Sequence, residues 1–433
     1  MTIVSGQTHP APHTSATLSY QPWLVCFSAA LFFFYEFIQM NMFNAVSTDL
    51  MRDFSLHATK LGKLSAYYFY ANLIFLPIAG VLLDRFSTRL IILSALLFCV
   101  AGITGFSITH SFPLACTFRF MSGVGSAFCF LSSVLLAAHW FPARQMALVT
   151  GLIITMAMSG GMIAQTPLIV LIQLVGWRTT LLLDAGLGLF IFVVIFYVVQ
   201  DYPPGVRENG KISTFKFSNA GILTCWRLAY CNLQNLLCGI YTSLINAPIA
   251  LFGAIWGSLF LQQTTHFSAR EASLAPSLLF LGTMIGGPVV GWVSDKIQKR
   301  IVLMMVGAII SLLLSIVVIC LLQILSLVAI LFLFFALGFF TSSQVLCYPL
   351  VAENNMETLK ATAVSVVSFF AIGGYAVLQP LFGWLMDYGW QGNMENNVRI
   401  YSASDYHHAL LILPLGFCIA LLATLWIRES KRI

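Results

Sequence analysis

The sequence predicts an all-α membrane protein of 12 transmembrane helices in two pseudo-symmetric six-helix bundles, on three observations. Only 8% of the 433 residues are charged, while 59% are hydrophobic and 14% aromatic. The apolar residues fall in long charge-free runs, and one charged loop motif occurs twice, 211 residues apart. A soluble globular protein carries about 25% charged residues, so a multidomain soluble enzyme is excluded, and so is a disordered chain. The net charge of +6 calls for no nucleic acid, because an excess of Lys and Arg on cytoplasmic loops produces it.

The elements follow in order from the runs. Residues 1–22 form a polar tail with no Lys or Arg. That lack, and an apolar run longer than a signal-peptide core, argue for a true first span. Charge-free stretches such as 90–118, 120–143, 145–177, 228–269 and 301–352 fix helices at 23–47, 60–83, 90–110, 114–137, 146–173, 178–200, 236–263, 271–293, 301–322, 325–348, 361–386 and 407–427. Each supplies the roughly 20 residues that a crossing needs. The runs are continuously apolar and do not alternate, which selects helices over a barrel. Residues 23–200 make the first bundle, 201–235 a cytoplasmic linker, 236–427 the second bundle and 428–433 a short tail.

Orientation comes from the basic residues. Of 21 Lys and Arg, the six at Arg52, Lys60, Lys63, Arg178, Arg270 and Arg399 fall on loops of one side, and Arg119 lies within a helix. The other 14 share the side of the two termini, which is therefore cytoplasmic. The ten cysteines lie mostly within spans without a CxxC and read as small apolar filler. No HExxH is present, and no nucleophile–base or metal constellation, so neither an enzyme nor a cofactor is expected.

The repeated motif reads Gly80-Val81-Leu82-Leu83-Asp84-Arg85-Phe86-Ser87-Thr88-Arg89 after helix two. After helix eight it reads Gly291-Trp292-Val293-Ser294-Asp295-Lys296-Ile297-Gln298-Lys299-Arg300. Gly, Asp, a basic residue and a final Arg recur at identical spacing. Its chemistry is intelligible: the glycine allows close helix contact, the carboxylate can face a helix N-terminus or a basic group, and the cations anchor the loop at an anionic leaflet. Two copies, each after the second helix of its half, imply two related six-helix units.

In this motif the chain resembles the major facilitator superfamily, whose loops between helices two and three, and eight and nine, carry G-x-x-x-D-[RK]-x-x-x-R. A second family pattern, an Arg followed by G-x-G, stands at Arg119, Gly123 and Gly125 in helix four. Gly176-Trp177-Arg178, Glu353 and a fainter echo at Gly383-Trp384-Leu385-Met386-Asp387 add to the likeness. The resemblance implies a fold in which Gly80, Asp84, Arg85, Arg89, Gly291, Asp295, Lys296 and Arg300 gate the conformation. Among subfamilies, the stretch from Tyr35-Glu36 through Asp84-Arg85 and the Arg119 block look most like the lysosomal dipeptide transporter group and bacterial nutrient carriers. That group has an acidic residue in helix four and an Arg in helix five where this chain has Ala127 and Met158. The drug/proton antiporter G-x-x-x-G-P pattern is absent from helix five. It has a look-alike at Gly282, Gly286, Gly287 and Pro288 in helix eight, where small residues read as packing.

Three charges lie well inside helices, Glu36, Arg119 and Asp184, and each costs about 2.5–3.5 kcal/mol at a span centre. One reading makes Glu36 the proton carrier and Arg119 the group that tunes its proton affinity, since desolvation favours a neutral carboxyl and a nearby cation favours the carboxylate. The other makes them a static pair holding the bundle. Asp184 either faces Arg178 or solvent, or has a function. Candidate substrate-cavity residues are Tyr35, Gln39, Gln165, Tyr241, Asn246, Gln344 and Tyr375, with interhelical hydrogen bonding as the alternative for each. The resemblance puts helices one, four, seven and ten on the pathway and favours Gln39, Asn246 and Gln344.

The sequence thus predicts a secondary active transporter of a small polar metabolite, an amino acid, dipeptide or organic acid, coupled to protons. It is expected as a monomer in a bacterial inner membrane, with the lipid bilayer its other partner. A uniporter, an exporter or a membrane sensor on the same scaffold are the competing readings. With both termini and residues 201–227 cytoplasmic, a cysteine placed at Ser213 should resist an impermeant thiol reagent in intact cells and react in inverted vesicles. Labelling from outside overturns the orientation.

Overall fold

The computed structural model describes residues 20–142, 145–203, 227–265, 267–356, 359–395 and 398–429. Most of the expected N-terminal tail and linker lies outside these residues, as does the side chain of Asp84. Among the described residues, 11 helices are long and apolar enough to cross a membrane, and a bent pair makes a twelfth. They are spans 1 to 12: Gln21–Asn41, Ala58–Leu83, Thr88–Ile108, Phe112–Trp140, Leu148–Val175, Trp177–Val198, the pair Leu233–Ile245 and Ile249–Thr264, Ala269–Ile297, Arg300–Leu321, Leu327–Asn354, Thr362–Gly389 and Ala403–Trp426. Span 1 continues past Met42 as Phe43–Asp53. A two-residue ladder, Met394–Glu395 on Val398–Arg399, lies in the loop before span 12.

The two halves pack by one plan. Span 1 packs on 5, 2 on 4 and 3 on 6; span 7 packs on 11, 8 on 10 and 9 on 12. Between the bundles, span 2 lies along span 11 and span 5 along span 8. The same capping device also appears twice. The backbone N–H of Arg89, opening span 3, donates to Asp201 just past span 6 at 2.8 Å, and that of Arg300, opening span 9, donates to Glu429 just past span 12, also at 2.8 Å. Each carboxylate meets the positive end of a helix dipole, so the last helix of each bundle is tied to its third.

Small residues set the closest approaches. A Cβ on Gly338 of span 10 would lie 2.0 Å from the Leu279 carbonyl oxygen of span 8, and one on Gly282 would lie 2.1 Å from that of Phe335. Gly282 and Gly286 of helix eight are therefore packing, as expected, whereas a Cβ on Gly287 would meet only Val345, at 4.0 Å. In the first bundle, Gly123 meets the Tyr68 carbonyl oxygen at 2.1 Å in the same way. The loop-motif glycines correct the expectation: a Cβ on Gly80 would meet only Leu131, at 3.8 Å, and one on Gly291 would meet nothing within 4 Å. Gly176 has a different reason to be glycine. Its φ of +81° lets the chain pass from span 5 to span 6 in one residue, a conformation that a Cβ would strain.

Several spans are interrupted. Span 4 turns at Ala127–Phe128 and span 5 at Ala164–Gln165, and span 10 tightens to a 3-10 turn at Ser342–Leu346. Span 7 bends by 43° at Asn246–Pro248 and continues as a π-helix, Ile249–Trp256. Pro248 supplies no N–H and crowds the preceding turn, which explains the bend.

Replacing Gly338 with Ala should lower stability in detergent by about 1–3 kcal/mol, as overpacked cores do. Gly373→Ala, where nothing lies within 4 Å of the added methyl, should leave thermal unfolding unchanged or slightly improved. Equal effects of the two would refute the packing assignment.

Candidate functional site

The site is built on span 1. Tyr35 and Gln39, four residues apart, face span 6; Glu36 and, beyond Met42, Phe43 face spans 2 and 4. Glu36 is 1% exposed, and its Oε2 accepts from the Tyr68 hydroxyl at 2.8 Å. Arg119, also 1% exposed, is held between two aromatic faces, its guanidinium carbon 4.4 Å from the Tyr68 ring centre and 4.6 Å from that of Phe43. The geometry follows from the Arg-x-x-x-Gly spacing. Gly123, one turn beyond Arg119, seats span 4 on the backbone of Tyr68 and so brings the guanidinium over that ring.

Glu36 and Arg119 are thus neighbours without being the direct pair that the static reading required. No ion pair joins them among the described residues, and none of the three guanidinium nitrogens donates to a protein group there. Glu36 Oε1 likewise lacks a partner. Tyr68 mediates between the two, donating to the acid through its hydroxyl and carrying the cation on its face. Cation–π contact of this kind is worth about 0.5–2 kcal/mol, but it satisfies no N–H, so the guanidinium keeps its planar fork of donors open.

Of the alternatives left open for Asp184, neither a contact with Arg178 nor exposure to solvent is found. Arg178 donates to the Ser107 and Thr109 carbonyls at 2.7 and 2.8 Å and stacks 4.3 Å from the Trp177 ring centre. Trp177 in turn donates to Asp53, fixing the Gly-Trp-Arg turn to the end of span 1. Asp184 is buried and accepts from Gln39.

Of the expected cavity residues, Asn246, Gln344 and Tyr375 come together. Gln344 Nε2 donates to Asn246 Oδ1 at 3.0 Å, Asn246 Nδ2 to the Tyr375 hydroxyl at 3.3 Å, and the Tyr375 ring stacks on Phe69 of the other bundle at 4.8 Å. Two of the three sit where spans 7 and 10 leave regular helix. Tyr241 goes elsewhere: its hydroxyl donates to the Met304 carbonyl at 2.8 Å and meets Ser343 at 2.9 Å inside the second bundle. Gln165 sits at the seam between bundles. It donates to the Gly253 carbonyl at 2.9 Å and accepts from Asn44, which also binds Ser258 through both its amide oxygen and nitrogen. The π-helix explains this, since wide turns offer carbonyls to side chains; Ala250 is taken by Gln379 at 3.0 Å.

The bundles are fastened at the end where spans 1 and 2 join. Asp387, the last residue of the faint motif echo, accepts from His57 Nδ1 at 2.6 Å, Thr59 N at 2.8 Å, Thr59 Oγ1 at 2.5 Å, the Tyr401 hydroxyl at 2.7 Å and Arg399 Nη1 at 3.2 Å. It caps the first turn of span 2 from across the interface. The sequence offered Tyr68 and Asn44 only among the many polar residues of spans 1 and 2, and Asp387 only as the end of the faint motif echo. At the opposite end, Arg300 binds Glu353 at 2.7 Å, Asp295 lies 4.0 Å from Arg300, Lys296 packs over Trp292, Arg89 donates to the Phe196 carbonyl, and Arg85 is exposed.

Twelve spans in two bundles packed by one plan, with broken helices carrying polar side chains to the seam, define a polytopic carrier fold. The model of the major facilitator superfamily matches residues 26–260 and again 238–432. The chain belongs to the major facilitator superfamily. A bacterial homologue of the human lysosomal transporter Spinster, crystallised inward-facing and unoccupied, superposes with a TM-score of 0.76 at 16% identity, covering 96% of this chain and all of that one. A probable sulfoacetate transporter of Cupriavidus necator is 20% identical over 62% of this chain and 64% of its own length. The lysosomal dipeptide transporter of Mus musculus is 25% identical over 60% of this chain and 58% of its own. A membrane sensor protein of Salmonella typhimurium is 25% identical over 89% and 88%. The matches to the sulfoacetate and dipeptide transporters thus span about three fifths of those two proteins.

Tyr68→Phe keeps the ring beneath Arg119 and removes the hydroxyl from Glu36. It should cost about 1–3 kcal/mol, because a buried acid loses its donor. Phe43→Leu, which leaves that hydrogen bond intact, should cost less in the same detergent unfolding assay. The reverse order would contradict the role given to Tyr68.

Proposed function

We propose that the chain is a proton-coupled secondary transporter of a small organic anion, a carboxylate or sulfonate, working by alternating access in a bacterial inner membrane with both termini cytoplasmic. The observation that carries this is Arg119, a buried guanidinium whose donors no carboxylate occupies. A substrate anion would take the planar fork that Glu36 leaves open, and the Asn246, Gln344 and Tyr375 chain would supply neutral contacts from the second bundle. The sulfoacetate carrier among the relatives supports an anionic substrate, and the dipeptide carrier is compatible, since a dipeptide ends in a carboxylate.

Glu36 is the proton carrier in this reading, and Tyr68 couples it to Arg119. When an anion binds the guanidinium, the charge seen by Glu36 through one shared tyrosine changes, and proton and substrate occupancy become linked. The Asp387 fastening would be the closed outer gate, with the two loop motifs biasing the equilibrium from the inside. A sensor on the same scaffold would bind the anion without moving it.

A thermal-shift screen of purified protein against sulfoacetate, lactate and glycylglycine, followed by uptake into proteoliposomes, tests the reading. Arg119→Gln should weaken binding of the stabilising anion about tenfold to hundredfold, the equivalent of losing hydrogen bonds to a charged group worth about 1.5–3 kcal/mol. Glu36→Gln should abolish uptake driven by a pH gradient while leaving counterflow exchange intact. Anion binding unaffected by Arg119→Gln, or full gradient-driven uptake by Glu36→Gln, sinks the respective role.

A further inference from the structure

Asp184 has no part in that coupling. It lies in span 6, buried, and accepts a hydrogen bond from the Gln39 side-chain amide of span 1. No ion pair reaches it among the described residues, since Arg178, six residues earlier in span 6, is spent on Ser107, Thr109 and Asp53. The titratable groups near it are Tyr35 and, through space, Glu36 of span 1, and Tyr35 packs its ring against Gly188, one turn further along span 6. Neither can be a counter-ion. The Tyr35 hydroxyl and Gln39 Oε1 are both buried without a partner.

We propose that Asp184 is a second proton-carrying carboxyl of the transport cycle, separate from Glu36, with Gln39 as its hydrogen-bond partner in both states. A buried carboxylate with no cation is costly and a neutral carboxyl is not, so the site gains by taking a proton onto Asp184 Oδ. Gln39 suits either form. Its NH2 group donates to the carboxylate, and turning the amide by half a revolution offers the unpartnered Oε1 to the acid's O–H. The register of spans 1 and 6 places Gln39 on Asp184 and Tyr35 on Gly188, while Glu36 faces span 2. The two carboxyls therefore occupy adjacent faces of span 1 and have separate partners, Gln39 for one and Tyr68 for the other. Each can load and release its proton without breaking the other's hydrogen bond. This rests on the reading of the chain as a proton-coupled carrier, and it deepens that reading by raising the number of protons the first bundle can hold from one to two.

The test needs no substrate. Infrared difference spectra of the purified wild-type protein, recorded as pH is stepped, should show carbonyl bands of two buried carboxylic acids that appear and vanish with pH. Asp184→Asn should lose one, Glu36→Gln the other, and the double variant both. Asp184→Glu should keep a band at a shifted frequency, and Gln39→Leu should move the Asp184 band without abolishing it, which keeps the assignment testable should Asp184→Asn fail to fold. A wild type with no titrating band, or an Asp184→Asn spectrum that retains both, overturns the proposal. Loss of the Asp184 band with no transport of any anion would instead count against the carrier reading and leave the proton site standing.

Discussion

Hydrocarbon accepts and donates no hydrogen bonds, so each polar group that this chain carries into the membrane must find its partner in the protein. That constraint organises the structure. Where Pro248 breaks span 7 and the chain widens to a π-helix, the loosened carbonyls of Ala250 and Gly253 are met by Gln379 and Gln165. One of those glutamines comes from the other bundle, so repairing an irregular helix also joins the two halves. Asn44 extends the repair to Ser258. The seam is polar because the helices beside it are imperfect.

Against this background Arg119 stands out. Glu36, Gln39 and Tyr68 each make at least one side-chain hydrogen bond, while none of the Arg119 nitrogens makes one and its guanidinium rests between two ring faces. The first bundle carries two buried acids, Glu36 and Asp184, and the first of them shares Tyr68 with this cation.

Much of the fold was legible in the sequence because the membrane writes it in composition. Charge-free runs of about 20 residues gave the spans, and the repeated Gly-x-x-x-Asp-basic motif gave the twofold plan. The site was only partly legible. Glu36 and Arg119 announced themselves as costly charges, whereas Tyr68, which links them, is one of several tyrosines on span 2 and looks no different from Tyr67 or Tyr70 in a linear reading. Tyr241 was drawn to the cavity by residue type, yet its hydroxyl serves a carbonyl inside its own bundle. Proximity in sequence offered Asp184 either Arg178 or solvent, and the three-dimensional register set it beside Gln39 instead. Loop-motif glycines were credited with close contact that the structure gives to Gly123, Gly282 and Gly338 instead.

Asp387 shows what convergence of many donors on one acceptor does to motion. Five hydrogen bonds from four residues, two of them from span 2 of the opposite bundle and its cap, meet on a single carboxylate. Partial separation gains nothing, because drawing span 2 back strips the acid of His57 and Thr59 together and leaves the helix's first turn uncapped at the same moment. Any parting of the bundles at this end would therefore have to release His57 and Thr59 in one step, and its sharpness would be set by how many donors one acid collects.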